Sequence, residues 1–215
     1  MEFITDEIRR ACVELEMRHP GARNLLITAP VGGEGTTTIA CLYARALAEM
    51  NDASVVIVDA NLRSPSLHEK FGIAMDGGLR DWEPETTGSK VHSVADCKNL
   101  SVMSAGGNNG RSLHMLQHSG RLDRLAASLK QDFSYVLWDT PSLIRYPDGR
   151  FLLRHVDGVV VIVEEDGTPL DALSELYGVL ANSETPLLGA IMNRCERYTL
   201  TPRPIASRTQ RRLPS

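Results

Sequence analysis

Residues 24–40 read NLLITAPVGGEGTTTIA: an apolar run, a glycine-rich turn and the start of a helical pattern. The run NLLITA (24–29) is short and continuously hydrophobic, as in a strand buried on both faces. Behind it, PVGGEGTT nearly fits G-x-x-x-x-G-K-[ST], the phosphate-binding loop that leads from a strand into a helix. Gly32, Gly33 and Gly35 permit the tight turn that brings backbone N–H groups toward an anion, and the helix after them adds its positive dipole end. Thr37 stands where the motif places its Mg²⁺-binding hydroxyl. Two positions depart from the motif: Pro30 takes the place of the first glycine, and Thr36 takes the place of the lysine.

The same alternation extends outward from the loop. Residues 2–18 carry apolar side chains at helical spacing and stop at Pro20-Gly21; residues 37–50 have a helix period. ASVVIVDA (53–60), NLSVMSA (99–105), SYVLWDT (134–140), GVVVIVEE (158–165) and PLLGAIMN (186–193) read as strands. Residues 112–131 read as a helix in two pieces broken near Gly120, and 169–182 as a further helix. Apolar strands separated by amphipathic helices predict a doubly wound, mostly parallel sheet. The expected architecture is a single α/β domain of the P-loop NTPase type over residues 1–198. Residues 199–215 hold three prolines and four arginines and read as a flexible basic tail, either simply solvated or resting on an acidic surface or headgroup layer.

Composition narrows the classes. The chain has 215 residues, 42% hydrophobic and 23% charged, ordinary for a globular domain with a core of normal size. A net charge of -4 gives no reason to expect nucleic acid as a partner. There is no apolar run of about 18 residues that would span a membrane, and the acidic N-terminus does not read as a secretory signal. Cys12, Cys41, Cys97 and Cys195 are scattered without metal-ligand spacing, as expected of reduced thiols in a cytosolic protein. His114 and His118 share a helix face but lack a third ligand. Trp82 and Trp138 read as packing residues.

Two further segments supply acids where a nucleotide site needs them. VVIVDANLRSP places Asp59 at the end of a buried strand, and YVLWDTP places Asp139 at the end of another. Strand ends line the ligand crevice of open α/β sheets, and an acid there can hold Mg²⁺ directly or through water.

Taken together, PVGGEGTTT, VVIVDANLRSPSLHEKFG, GLRDW, NLSVMSAG, FSYVLWDTPS and GAIMNR resemble, over residues 5–195, the cytoplasmic domain of bacterial tyrosine kinases of polysaccharide export. Plasmid-partition and septum-positioning ATPases are a more distant match. The resemblance implies ATP or ADP with Mg²⁺ as the cofactor. It implies that Gly33, Glu34, Gly35, Thr36, Thr37 and Thr38 wrap the phosphates, that Thr37 and Asp139 hold the metal, and that Asn193 and Arg194 flank the adenine. Asp59 and Asn61 fall in the family's D-x-D-x-R motif, where the first acid helps activate the attacking hydroxyl or binds metal.

The departures bear on activity. Beside Thr36, Val31 occupies the place of the additional lysine of partition ATPases, and Asn61 replaces the second acid while Arg63 remains. D-[ST]-P-P is present as Asp139-Thr140-Pro141-Ser142. The tyrosine-rich end of the family is reduced to Tyr198, and its E-x-x-R-x-x-R ring motif to Glu7 and Arg10, with Val13 third. A charge-assisted bond to phosphate contributes roughly 1.5–3 kcal/mol, so losing the lysine weakens binding about tenfold to a hundredfold. The expectation is therefore a self-associating, cytoplasmic, kinase-like regulatory module. It would dock on a membrane polysaccharide copolymerase at the inner face of the membrane and transfer phosphate inefficiently. The alternative is an active ATP-dependent tyrosine autokinase or ATPase, with Arg63 or a neighbouring subunit's arginine restoring the charge.

Overall fold

In the computed structural model, which describes residues 2–50, 52–84, 91–107 and 110–195, the apolar runs become strands of one sheet. They are β1 (Asn24–Thr28), β2 (Val55–Asp59), β3 (His92–Val94), β4 (Cys97–Met103), β5 (Tyr135–Asp139), β6 (Gly158–Glu164) and β7 (Leu187–Asn193). Their order is β3-β4-β2-β5-β1-β6-β7. All neighbours pair in parallel except β3 with β4. The sheet is thus mostly parallel, as expected. The antiparallel β3 is an addition: a three-residue edge strand with a register shift between Ser93 and Val94, too short to show a hydrophobic period.

Every residue of β1, β2 and β5 is buried, because helices cover both faces of the sheet centre. On one face lie α1 (Glu2–Arg18) and α2 (Thr36–Met50). Helix α2 buries Ile39, Ala40, Tyr43, Ala44 and Leu47, the i, i+4 stripe that the sequence period predicts. Helix α1 inserts Ile8 and Cys12 into the same core. The five-residue α3 (Leu67–Phe71) seats Leu67 there as well. The opposite core holds α4 (Leu113–His118), α5 (Arg121–Asp132) and α6 (Leu170–Ala181), through residues such as Leu116, Leu125 and Leu176. The break between α4 and α5 falls at Gly120, as expected, with φ 67°. A 3-10 segment, Pro147–His155, also packs here and was not expected; its apolar residues are too few and too closely spaced for a helical period to show.

All four cysteines are free thiols. Burial pushes the Cys12 and Cys41 thiols up to about 12. Among the described residues no helix is long and apolar enough to cross a membrane. The expected tail at 199–215, and Tyr198, lie outside the described residues.

Candidate functional site

The loop between β1 and α2 is held by its own side chains and by its neighbours. Glu34 is 3% exposed, and its carboxylate accepts from the Val31 N–H (2.9 Å) and the Gly32 N–H (2.6 Å). The Asn193 side chain at the end of β7 donates to the Glu34 carbonyl (2.8 Å), and the Ser142 hydroxyl donates to the Pro30 carbonyl (2.5 Å). Gly35 has φ +86°, and a Cβ there would lie 2.4 Å from Asn193 Nδ2. The sequence assigned Glu34 to the phosphate cradle. Its side chain closes the first half of the loop, and the cavity beside the loop opens on Gly32, Gly33, Gly35 and the first turn of α2. First-turn N–H groups have no intrahelical partner and suit an anion.

The two strand-end acids stand side by side, since Asp59 and Asp139 are register partners on β2 and β5. Thr37 Oγ1 donates to Asp139 Oδ2 at 2.7 Å, while the buried Oδ1 has no partner among the described residues. Burial first, and the neighbouring Asp59 second, push the Asp139 carboxyl up to about 8; the Thr37 hydroxyl and Lys70 work in the opposite sense. An orphaned carboxylate oxygen beside a hydroxyl is a donor set suited to a hard divalent cation. The residues present therefore fit Mg²⁺.

Asp59 is differently employed. Its oxygens accept from the N–H groups of Asn61 (3.2 Å), Ser66 (2.9 Å) and Leu67 (3.0 Å), so it anchors the turn into α3. Burial raises its pKa, and the bonds from Leu67, Ser66 and Asn61 oppose that rise. Asn61 Oδ1 accepts from the Ser64 N–H at 3.3 Å, a turn-holding role open to an amide as well as to an acid.

A cavity of about 310 Å³ opens on the loop and on Thr36, Thr37 and Thr38, and is lined as well by Asn61, Arg63, Arg145 and Tyr146. Arg145 and Tyr146 were missed in the sequence. The only signal was their position just beyond the Asp139 strand end. The Arg63 guanidinium lies over the Tyr146 ring, 5.2 Å from its centroid. Asn193 reaches the loop, but Arg194 does not line this cavity; it has φ 55° and pairs with Glu164 at 2.8 Å. A larger groove of about 860 Å³, bounded by Arg150, Arg154, Glu175 and Asn182, contains none of the expected site residues.

Other expected residues fall elsewhere. His114 and His118 stack with ring centroids 4.2 Å apart, beside Phe151. Trp138 is fully buried and donates to Asn24 Oδ1 at 2.7 Å. Glu7 and Arg10 form an exposed pair at 3.1 Å on α1, with Val13 exposed beyond them.

No family model matches the chain. Tyrosine-protein kinase YwqD of Bacillus subtilis is 27% identical over 191 residues, covering 88% of this chain and 78% of YwqD. The chain's homologues are bacterial tyrosine-protein kinases. The succinoglycan biosynthesis transport protein ExoP of Rhizobium meliloti is 25% identical over 186 residues, 83% of this tyrosine-kinase homologue but 23% of ExoP, so the chain spans only a minor part of that relative. Among solved structures, the kinase domain of the Escherichia coli tyrosine kinase ETK matches with a TM-score of 0.76 at 18% identity, covering 90% of this chain and 78% of that one. The septum site-determining protein MinD of Pyrococcus horikoshii, complexed with Mg-ADP, matches with a TM-score of 0.64 at 21% identity, covering 82% and 72%. At these identities the structural likeness establishes the fold. The fold of the kinase homologue is that of P-loop kinase domains and their MinD-like neighbours.

Proposed function

We propose that this tyrosine-kinase homologue is a nucleotide-binding regulatory module of exopolysaccharide or capsule assembly that transfers phosphate inefficiently. The observation that carries this reading is Thr36. It opens α2 at the position of the motif's lysine, after a turn at Gly35 and next to a Thr37 hydroxyl that donates to the strand-end Asp139. Phosphoryl transfer depends on neutralising charge at the phosphates, and a hydroxyl dipole does this poorly. Thr37 and Asp139 would hold Mg²⁺, which when bound offsets the charge of the β- and γ-phosphates. Gly35 and the first turn of α2 offer N–H groups to the phosphates, and Asn193 braces the loop from β7. That MinD, of similar fold, is complexed with Mg-ADP supports a nucleotide as the ligand, and the biosynthesis-transport name of ExoP supports the pathway. In this reading the module lies in the cytoplasm and docks on a membrane polysaccharide copolymerase. Copies associate through α1, where Glu7 and Arg10 are exposed.

The alternative, an active tyrosine autokinase or ATPase, is favoured by one observation: Asp59 and Asp139 remain paired across adjacent strand ends. Purified protein incubated with labelled ATP and Mg²⁺ separates the two. The regulatory reading expects at most slow, trace phosphotyrosine or phosphate release, and robust turnover on the scale of minutes would establish the enzyme instead.

A further inference from the structure

The cavity beside the glycine loop has no lysine, yet two cations line it. Arg63 and Arg145 both border the space onto which Gly33, Gly35 and Thr36 open. Both are exposed, and among the described residues neither forms an ion pair with a carboxylate. Their placement is not incidental to a mobile surface. The Arg145 N–H donates to Ser142 Oγ at 3.3 Å, and the same hydroxyl donates to the Pro30 carbonyl at the start of the loop. Ser142 is 2% exposed, so this buried hydroxyl pins the Arg145 turn to the loop itself. Arg63 is held from the other side by the face of Tyr146, the next residue along. An uncompensated guanidinium pair at a cavity walled by glycines and a helix N-terminus matches the charge and the planar donor geometry that phosphate oxygens select.

We propose that Arg145, assisted by Arg63, supplies the positive charge that Thr36 does not, so that a nucleoside di- or triphosphate is held between the loop amides and an arginine pair. The inference rests on the nucleotide-binding reading above and assigns its cation. The charge comes from the turn after β5 and from the turn after β2, not from α2. It therefore serves affinity without placing an ammonium where the motif has one.

Calorimetric titration of the full chain with ADP–Mg²⁺ and ATP–Mg²⁺ tests this. Arg145→Gln is expected to weaken binding about tenfold or more, Arg63→Gln to weaken it less, and Arg145→Lys to fall between wild type and Arg145→Gln. Adding Thr36→Lys to Arg145→Gln is expected to restore most of the affinity, a rescue that a merely structural role for Arg145 would not show. Arg154→Gln removes the same charge from a surface outside the cavity and is expected to leave affinity unchanged. Thermal midpoints within a degree or so of wild type confirm folding, since Arg145 is exposed. If wild type binds and Arg145→Gln with Arg63→Gln binds equally well, the arginine assignment is wrong while the nucleotide reading stands. An equal loss in Arg154→Gln also overturns the assignment, because the effect is then the general field of the protein. If wild type binds neither nucleotide at millimolar concentration, the nucleotide reading fails and this inference fails with it.

Discussion

Gly35 meets two demands at once. Its backbone sits at φ +86°, and a methyl group there would press on the Asn193 amide that braces Glu34. The glycine spacing made the first demand legible, because a phosphate loop needs such a turn. The second was not legible, since Asn193 lies 158 residues further along the chain. Gly35→Ala is expected to cost about 1–2 kcal/mol from the left-handed backbone alone, with further loss from displacing Asn193. Urea denaturation should report that loss, and nucleotide affinity should fall in parallel. Thr36 was likewise plain in the sequence as a missing charge, whereas Arg145 was invisible as its substitute: nothing local marks an arginine that acts across a cavity. Asp139 was recognised as a strand-end acid, but its raised pKa arises from burial and from Asp59 alongside it, which only the strand register brings together.

At the scale of elements, long periodic segments were legible and short ones were not. α1, α2 and α6 repeat their apolar positions over three or more turns, whereas α3 and Pro147–His155 offer too few residues for a period to emerge. Short elements depend on tertiary anchors, and Asp59 provides one by accepting the N–H groups that open α3. Asp157 provides another at the turn between Pro147–His155 and β6. Its carboxylate accepts from the Arg23 N–H (2.9 Å) and the Asn24 N–H (2.8 Å) at the start of β1 and pairs with Lys130 on α5 (3.3 Å). Partial burial works against the charge, but those donors outweigh it and hold the pKa below the ordinary aspartate value. A depressed folded pKa means that Asp157 stabilises the fold above the unfolded value near 3.9, and that this contribution is lost as pH falls through the folded pKa. Asp157→Asn is expected to cost about 1 kcal/mol at pH 7, a figure already reduced for the solvent screening of a one-third exposed group. As pH falls through the depressed folded pKa, the variant and wild type should converge. Denaturant midpoints measured across that range check both the size and the sign.

Over the whole molecule, the sheet is a shared wall between two cores. Consecutive residues on β5 face opposite ways: Leu137 belongs to the core under α1 and α2, and Trp138 to the core under α5 and α6. Leu137→Ala is expected to cost about 2–5 kcal/mol. Because the strand is common to both cores, the near-ultraviolet signal of Trp138 should shift to the same lower urea midpoint as the far-ultraviolet signal. Separate midpoints would show that the two faces unfold independently. The sequence by itself determined the parallel α/β sheet, the glycine turn, the strand-end acids and the absent lysine, because each is written in contiguous residues whose hydrophobic period or backbone freedom acts locally. Only the tertiary structure decided that Glu34 closes its own loop, that Asp59 and Asp139 share a level, that Asn193 braces the turn and that Arg63 and Arg145 border the cavity. Those relations depend on which strands lie side by side and where their ends converge, and such distances are set by packing the whole chain rather than by any segment of it.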